Sequence, residues 1–141
     1  MSFELTQDQK NLQATVREWA QAEVAPIAYQ LDQAAEFPTE LYLKMNREIG
    51  IASIPFKEEH GGLGLGILDM SLAIEELARA DQTLALTTMV AVATGLTLQS
   101  FGSPLLEEKY LPDIVAGKAI GSIAGTEPQA GSWTAGFKSR A

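Results

Sequence analysis

A chain of 141 residues with 46% apolar content has the size and composition of one domain with a buried core. Eighteen acidic residues against ten basic give a net charge of −8, which repels nucleic acid and an anionic lipid surface and predicts neither as a partner. With no cysteine and a single histidine, His60, disulfides, thiolate zinc sites and multi-histidine metal centres are excluded, so any chemistry falls to carboxylates, hydroxyls, backbone or a cofactor.

The opening residues MSFELTQD carry Glu4 and Asp8 and have neither a basic flank nor an apolar run, which predicts no secretory signal and a cytoplasmic protein. Thr6 followed by Gln9 matches a capping box, and Leu5, Leu12, Val16, Trp19, Ala20, Val24, Ile27 and Leu31 recur at helical spacing. A first helix is expected from about 6 to 33, kinked or broken at Pro26, which lacks an amide hydrogen and crowds the preceding turn. Pro38 suits the first turn of a second helix, with Leu41, Met45 and Ile49 on one stripe and Gly50 ending it.

Residues 50–66, GIASIPFKEEHGGLGLG, read as a loop. Their glycine spacing does not fit G-x-G-x-x-G, and no G-K-[ST] follows, so a structural turn is expected over a phosphate site. A third helix is expected over 67–80 with Met70, Ala73, Ile74 and Leu77 inward. Glu75 and Glu76 precede Arg79 by four and three residues, a spacing for surface ion pairs.

Between Gln82 and Leu106 there is no charge, a length that raises the question of a membrane span. Thr83, Thr87, Thr94 and Thr97 fall within an arc of about 80°, beside Val90 and Phe101, which instead predicts the central helix of a bundle and no membrane insertion. Each hydroxyl either bonds its own helix carbonyl one turn back or borders a ligand cavity. Ser103 and Pro104 start the next helix, Pro112 interrupts or restarts it, and Gly117 ends it; AIGSIAG, residues 119–125, then reads as one strand. The next loop, GTEPQAGSW, offers the hydroxyls of Thr126 and Ser132, while Gly125 and Gly131 leave the backbone open to a flat or anionic ligand. On residue chemistry alone it is a turn or a site.

EEHGGLGLG, then IEELARAD, then KYLPDIVAGKAIGSIAGTEPQAGS resemble, in that order and over essentially the whole chain, the N-terminal part of the acyl-CoA dehydrogenase family. The resemblance implies an all-α fold, a helical-bundle domain over 1–118, with 119–141 as the first strand and loop of an incomplete middle β-domain. It implies FAD as cofactor and α,β-desaturation of an acyl-CoA thioester, with cofactor contacts at Gly125, Thr126, Gly131 and Ser132. The acyl group would border Leu86, Met89, Val90 and Ser132. The family's catalytic glutamate belongs to a C-terminal domain that these 141 residues do not match, so no catalytic residue is assigned.

Two departures stand out. Trp133 replaces the aspartate common after AGS, and Lys57 and His60 replace a common proline and an aromatic. As a truncated dehydrogenase the chain is expected to be inactive alone and to self-associate, swap, or leave a disordered tail after about residue 120. The alternatives are a helical docking module for a full-length paralogue, or part of a related acyl-CoA oxidase or flavin monooxygenase.

Overall fold

The computed structural model of the protein describes residues 4–140. Helix α1 (Gln7–Trp19) opens on the expected capping box, the Gln9 amide donating to Thr6 Oγ1 at 3.2 Å and the Thr6 amide to Gln9 Oε1 at 3.0 Å. The interruption at Pro26 begins a turn early. Ala20–Val24 form a π turn in which the Ala25 amide reaches back to the Ala20 carbonyl at 2.9 Å. This wider turn lies where Pro26 supplies no amide and its ring presses on the preceding residues. Helix α2 (Ala28–Ala34) comes next, so the helix expected over 6–33 is two helices joined by a widened turn.

Helix α3 (Thr39–Ile49) begins after Pro38 and stops at Gly50, whose φ of +58° suits a residue without Cβ. From there Ile51, Ile54 and Phe56 enter the core. Helices α4 (Ile67–Ala78), α5 (Gln82–Phe101) and α6 (Pro104–Val115) complete the bundle, with α4 against α1 and α5, and α5 against α6. Asp81 caps α5 by accepting the Leu84 amide at 2.6 Å. Helix α6 runs through Pro112 without a break, the proline lying on its exposed side near the last turn.

The bundle closes at Phe56, which is fully buried. A Cβ added to Gly95 of α5 would lie 2.5 Å from Phe56 Cζ and 2.8 Å from Ile114 Cγ2, so glycine lets the ring and α6 approach the α5 backbone. Gly117 does the same for α3. Its φ is +65°, and a Cβ there would stand 2.3 Å from Cγ of the buried Asn46. Asn46 in turn accepts the Ala52 amide at 2.9 Å and donates to the Tyr42 carbonyl at 3.0 Å.

Besides the break expected at Pro112, which α6 does not show, three expectations need correction. Glu76 is not a surface partner of Arg79: its side chain is 2% exposed, and it is held by Arg17 of α1. Residues 119–125 do not form a strand, because an extended segment needs a neighbour to complete its ladder and none lies beside it; among the described residues there is no strand, only an isolated antiparallel bridge between Glu127 and Ala130. Helix α5 has the length and composition of a membrane span and was expected at the centre of the bundle, yet it is covered on one side only. Leu84, Ala85, Thr88, Ala91, Val92 and Gly95 are buried, while Leu86 and Met89 opposite are 52% and 46% exposed.

Candidate functional site

The glycines of GGLGLG serve the loop itself. Gly61 and Gly64 have φ of +83° and +65°, and a Cβ at Gly62 would lie 2.1 Å from the Phe56 carbonyl oxygen. The amides of Gly62, Leu63, Gly64 and Leu65 donate to the carbonyls of Lys57, Ser53, Phe56 and Ile54 at 2.8–3.0 Å, which leaves them turned inward and away from any phosphate. The Lys57 amide, which a proline at this position would lack, donates to Gln99 Oε1 of α5 at 3.2 Å. His60 stands between carboxylates of Glu59 and Glu107 at 3.7 and 3.6 Å, and no cluster able to hold a metal ion occurs among the described residues.

In the terminal loop, Gly125 and Gly131 lack any such internal cause. Neither has a positive φ, and a Cβ on either would meet nothing closer than 3.9 Å. Both are exposed, as are Thr126 and Ser132. A bare backbone that no packing or torsion requires is a cradle that a side chain would fill, which suits a flat group approaching from outside.

Between these glycines the chain is tied to itself. The Glu127 and Ala130 amides exchange hydrogen bonds with each other's carbonyls at 3.0 and 3.1 Å across Pro128 and Gln129. Glu127 Oε2 accepts the Lys138 amide and Oε1 the Ser139 amide, each at 2.8 Å, and Gln129 Nε2 also donates to Oε2. The Ser139 hydroxyl, with the amides of Lys138 and Ser139, holds the Glu127 carboxyl down at about 2. Ala130 is buried, and the Trp133 ring lies against Gly136, where a Cβ would come within 2.6 Å of Cε3. Trp133 remains 67% exposed. Glu127 was not among the expected site residues, since a carboxylate bonded to amides eleven and twelve residues ahead leaves no spacing signature.

On α5, Leu86, Met89 and Val90 share one outward face, and they separate in environment. Met89 lines an apolar cleft of about 410 Å³ between α4 and α5, with Ile67, Met70, Ile74, Val92 and Leu96. Leu86 is exposed and Val90 half-buried, and neither these two nor Ser132 lines that cleft. The threonine stripe fits the plain reading where its bonds are seen: Thr94 and Thr97 donate to the carbonyls of Val90 and Ala93 at 3.0 and 2.9 Å. Thr94 also borders a second cleft of about 290 Å³, between α5, α6 and residues 119–121. There a Cβ on Gly121 would lie 2.7 Å from Thr94 Cβ, so the segment leading to the glycine loop is laid directly on α5 at Thr94.

Comparison with known proteins agrees with this architecture. The family model described as acyl-CoA dehydrogenase, N-terminal domain, matches residues 6–118. A probable acyl-CoA dehydrogenase of Bacillus subtilis (strain 168), YngJ, is 38% identical across 100% of the chain and 37% of its own length. Among solved structures, a glutaryl-coenzyme A dehydrogenase in complex with glutaryl-CoA superposes with a TM-score of 0.91 at 31% identity, over 97% of this chain and 35% of that one. The FAD complex of PigA superposes at 0.87 and 31% identity, over 95% of this chain and 36% of that one. The chain thus spans little more than a third of the length of the relatives it matches.

Proposed function

The chain belongs to the acyl-CoA dehydrogenase family, and from that premise we propose that it supplies the N-terminal helical part, residues 1–118, and the flavin-facing loop within 119–141, of an FAD-dependent acyl-CoA dehydrogenase. The observation that carries this reading is the pair of exposed glycines, Gly125 and Gly131, whose bare backbone nothing inside the fold demands. When bound, FAD supplies the hydride acceptor for α,β-desaturation of an acyl-CoA thioester. Gly125 and Gly131 let a planar ring system and its phosphates reach the backbone, and Thr126 and Ser132 offer hydroxyls at the same rim. The open α5 face, with Leu86, Met89 and Val90, shields an acyl tail from water, where each buried methylene contributes about 0.8 kcal/mol. We assign no proton-abstracting base to this chain.

The test is Gly131→Val in the protein as the cell makes it. With 3.9 Å of clearance the substitution leaves the thermal midpoint unchanged, while FAD affinity falls at least about tenfold because the valine occupies the cradle. Unchanged flavin affinity overturns the assignment.

A second reading, a helical module that docks on a full-length paralogue, is favoured by the 67% exposure of Trp133 and by the uncovered side of α5. It predicts a stable heteromer with a full-length dehydrogenase by light scattering. It also predicts that Trp133→Asp abolishes that heteromer.

A further inference from the structure

Resting on that reading of the loop, we propose that Glu127 is the positioning residue that closes the neck of the 127–139 loop and so fixes Gly131 and Ser132 for the flavin. Among the described residues the two arms of this loop have no strand ladder between them, since the bridge at 127 and 130 closes only the tight turn at its start. The carboxylate spans the gap, one oxygen on each of two consecutive amides in the returning arm, those of Lys138 and Ser139. Gln129, from the turn that begins the loop, leans on the same carboxylate and reaches the Gly136 carbonyl at 3.4 Å. Inside the neck, Ala130 is buried and Trp133 covers Gly136, so the rim between them, residues 131 and 132, has its two ends pinned.

A carboxylate is required for a stated reason. It accepts on both oxygens, matching two adjacent N–H donors, whereas an amide side chain turns one of those positions into a donor facing a donor. Charge on the acceptor also shortens and strengthens both bonds. None of the hydrogen bonds made by Glu127 reaches α1–α6; they tie it to residues 129, 130, 138 and 139. Its loss therefore loosens the loop without unfolding the bundle.

The experiment compares wild type, Glu127→Gln and Lys138→Pro in the protein as the cell makes it, by amide hydrogen exchange, by FAD titration and by the far-UV thermal midpoint. Lys138→Pro removes a donor from the opposite side of the neck, and Phe137 before it already has the extended backbone that proline requires. Expected are faster exchange at Ser139 in both variants, a rise of about tenfold in the FAD dissociation constant in both, and an unchanged midpoint. Wild-type exchange and affinity in Glu127→Gln overturn the proposal. A drop in the midpoint equal to the loss of affinity also overturns it, because the residue then acts on the whole fold. A wild-type protein that binds no FAD sinks the flavin reading and the positioning role with it, and in that case the exchange difference alone still reports whether Glu127 holds the neck, which separates the two failures.

Discussion

Arg17 of α1 grips Glu76 of α4 with two parallel hydrogen bonds, Nε to Oε2 at 2.8 Å and Nη2 to Oε1 at 2.6 Å, and the carboxylate is almost sealed from water while the guanidinium is half exposed. The asymmetry decides what mutations do. Removing Arg17 strands a buried charge, whereas removing Glu76 frees an arginine that already reaches solvent. Arg17→Met should lower the thermal midpoint by about 5–10 °C, Glu76→Gln by less, and the Arg17→Met, Glu76→Leu double variant should recover much of the loss. Calorimetry on the four proteins checks the order. The hydrogen bond from Arg17 holds the Glu76 carboxyl below its ordinary value against the opposing effect of burial. Its contribution is therefore complete above the unfolded carboxylate range and disappears as pH falls through the lowered folded value.

Gly95 sets the distance between Phe56 and the α5 backbone. A methyl group there meets the ring tip at 2.5 Å and Ile114 at 2.8 Å, and the ring, fully buried, has no room to retreat. Gly95→Ala is expected to destabilise by about 1–3 kcal/mol in urea titrations. Pairing it with Phe56→Leu should cost less than the sum of the two single changes, since the leucine vacates the space the new methyl needs.

Glu127 gives the loop a distinctive acid response. With the carboxyl held at about 2 in the folded state against an unfolded value of 4.5, its stabilising bonds are fully present above that unfolded value and vanish as pH drops through about 2. Exchange protection at the Lys138 and Ser139 amides should persist at about pH 4 and be lost near pH 2. Protection already gone at the upper of these two values would contradict the bond pattern.

On the function proposed above, which assigns the base to no residue of this chain, the polypeptide of 141 residues mixed anaerobically with FAD and an acyl-CoA thioester should leave the absorbance of the oxidised flavin unbleached. Bleaching on the timescale of turnover would place a competent base among these residues.

Much of the bundle is readable from residue spacing. Thr6 with Gln9, Pro38 and Gly50, and Pro104 with Gly117 mark ends that the structure keeps within a residue or two, because caps and breakers act locally. Glu76 misleads for the complementary reason. Its three-residue distance to Arg79 satisfies a local rule, while its true partner lies 59 positions away; the available clue is that Glu76 falls three and four residues after the buried Ala73 and Leu72. Residues 119–125 have the composition of a strand, yet composition does not provide the neighbouring backbone that a strand requires. For the site, the glycine loop and the α5 face are legible as patterns. The cleft beside Met89 is not, since it exists only once α4 is laid against α5.

The π turn at Ala20–Val24 adds one residue to a helical revolution, and each added residue rotates the downstream side chains by about 100°. Arg17, before it, looks toward α4, and Glu23, within it, toward Lys44 of α3. The widened turn therefore acts as a phase coupler between two neighbours: shorten the chain there by one amino acid, and a helix that now serves both flanks is left able to satisfy only one of them.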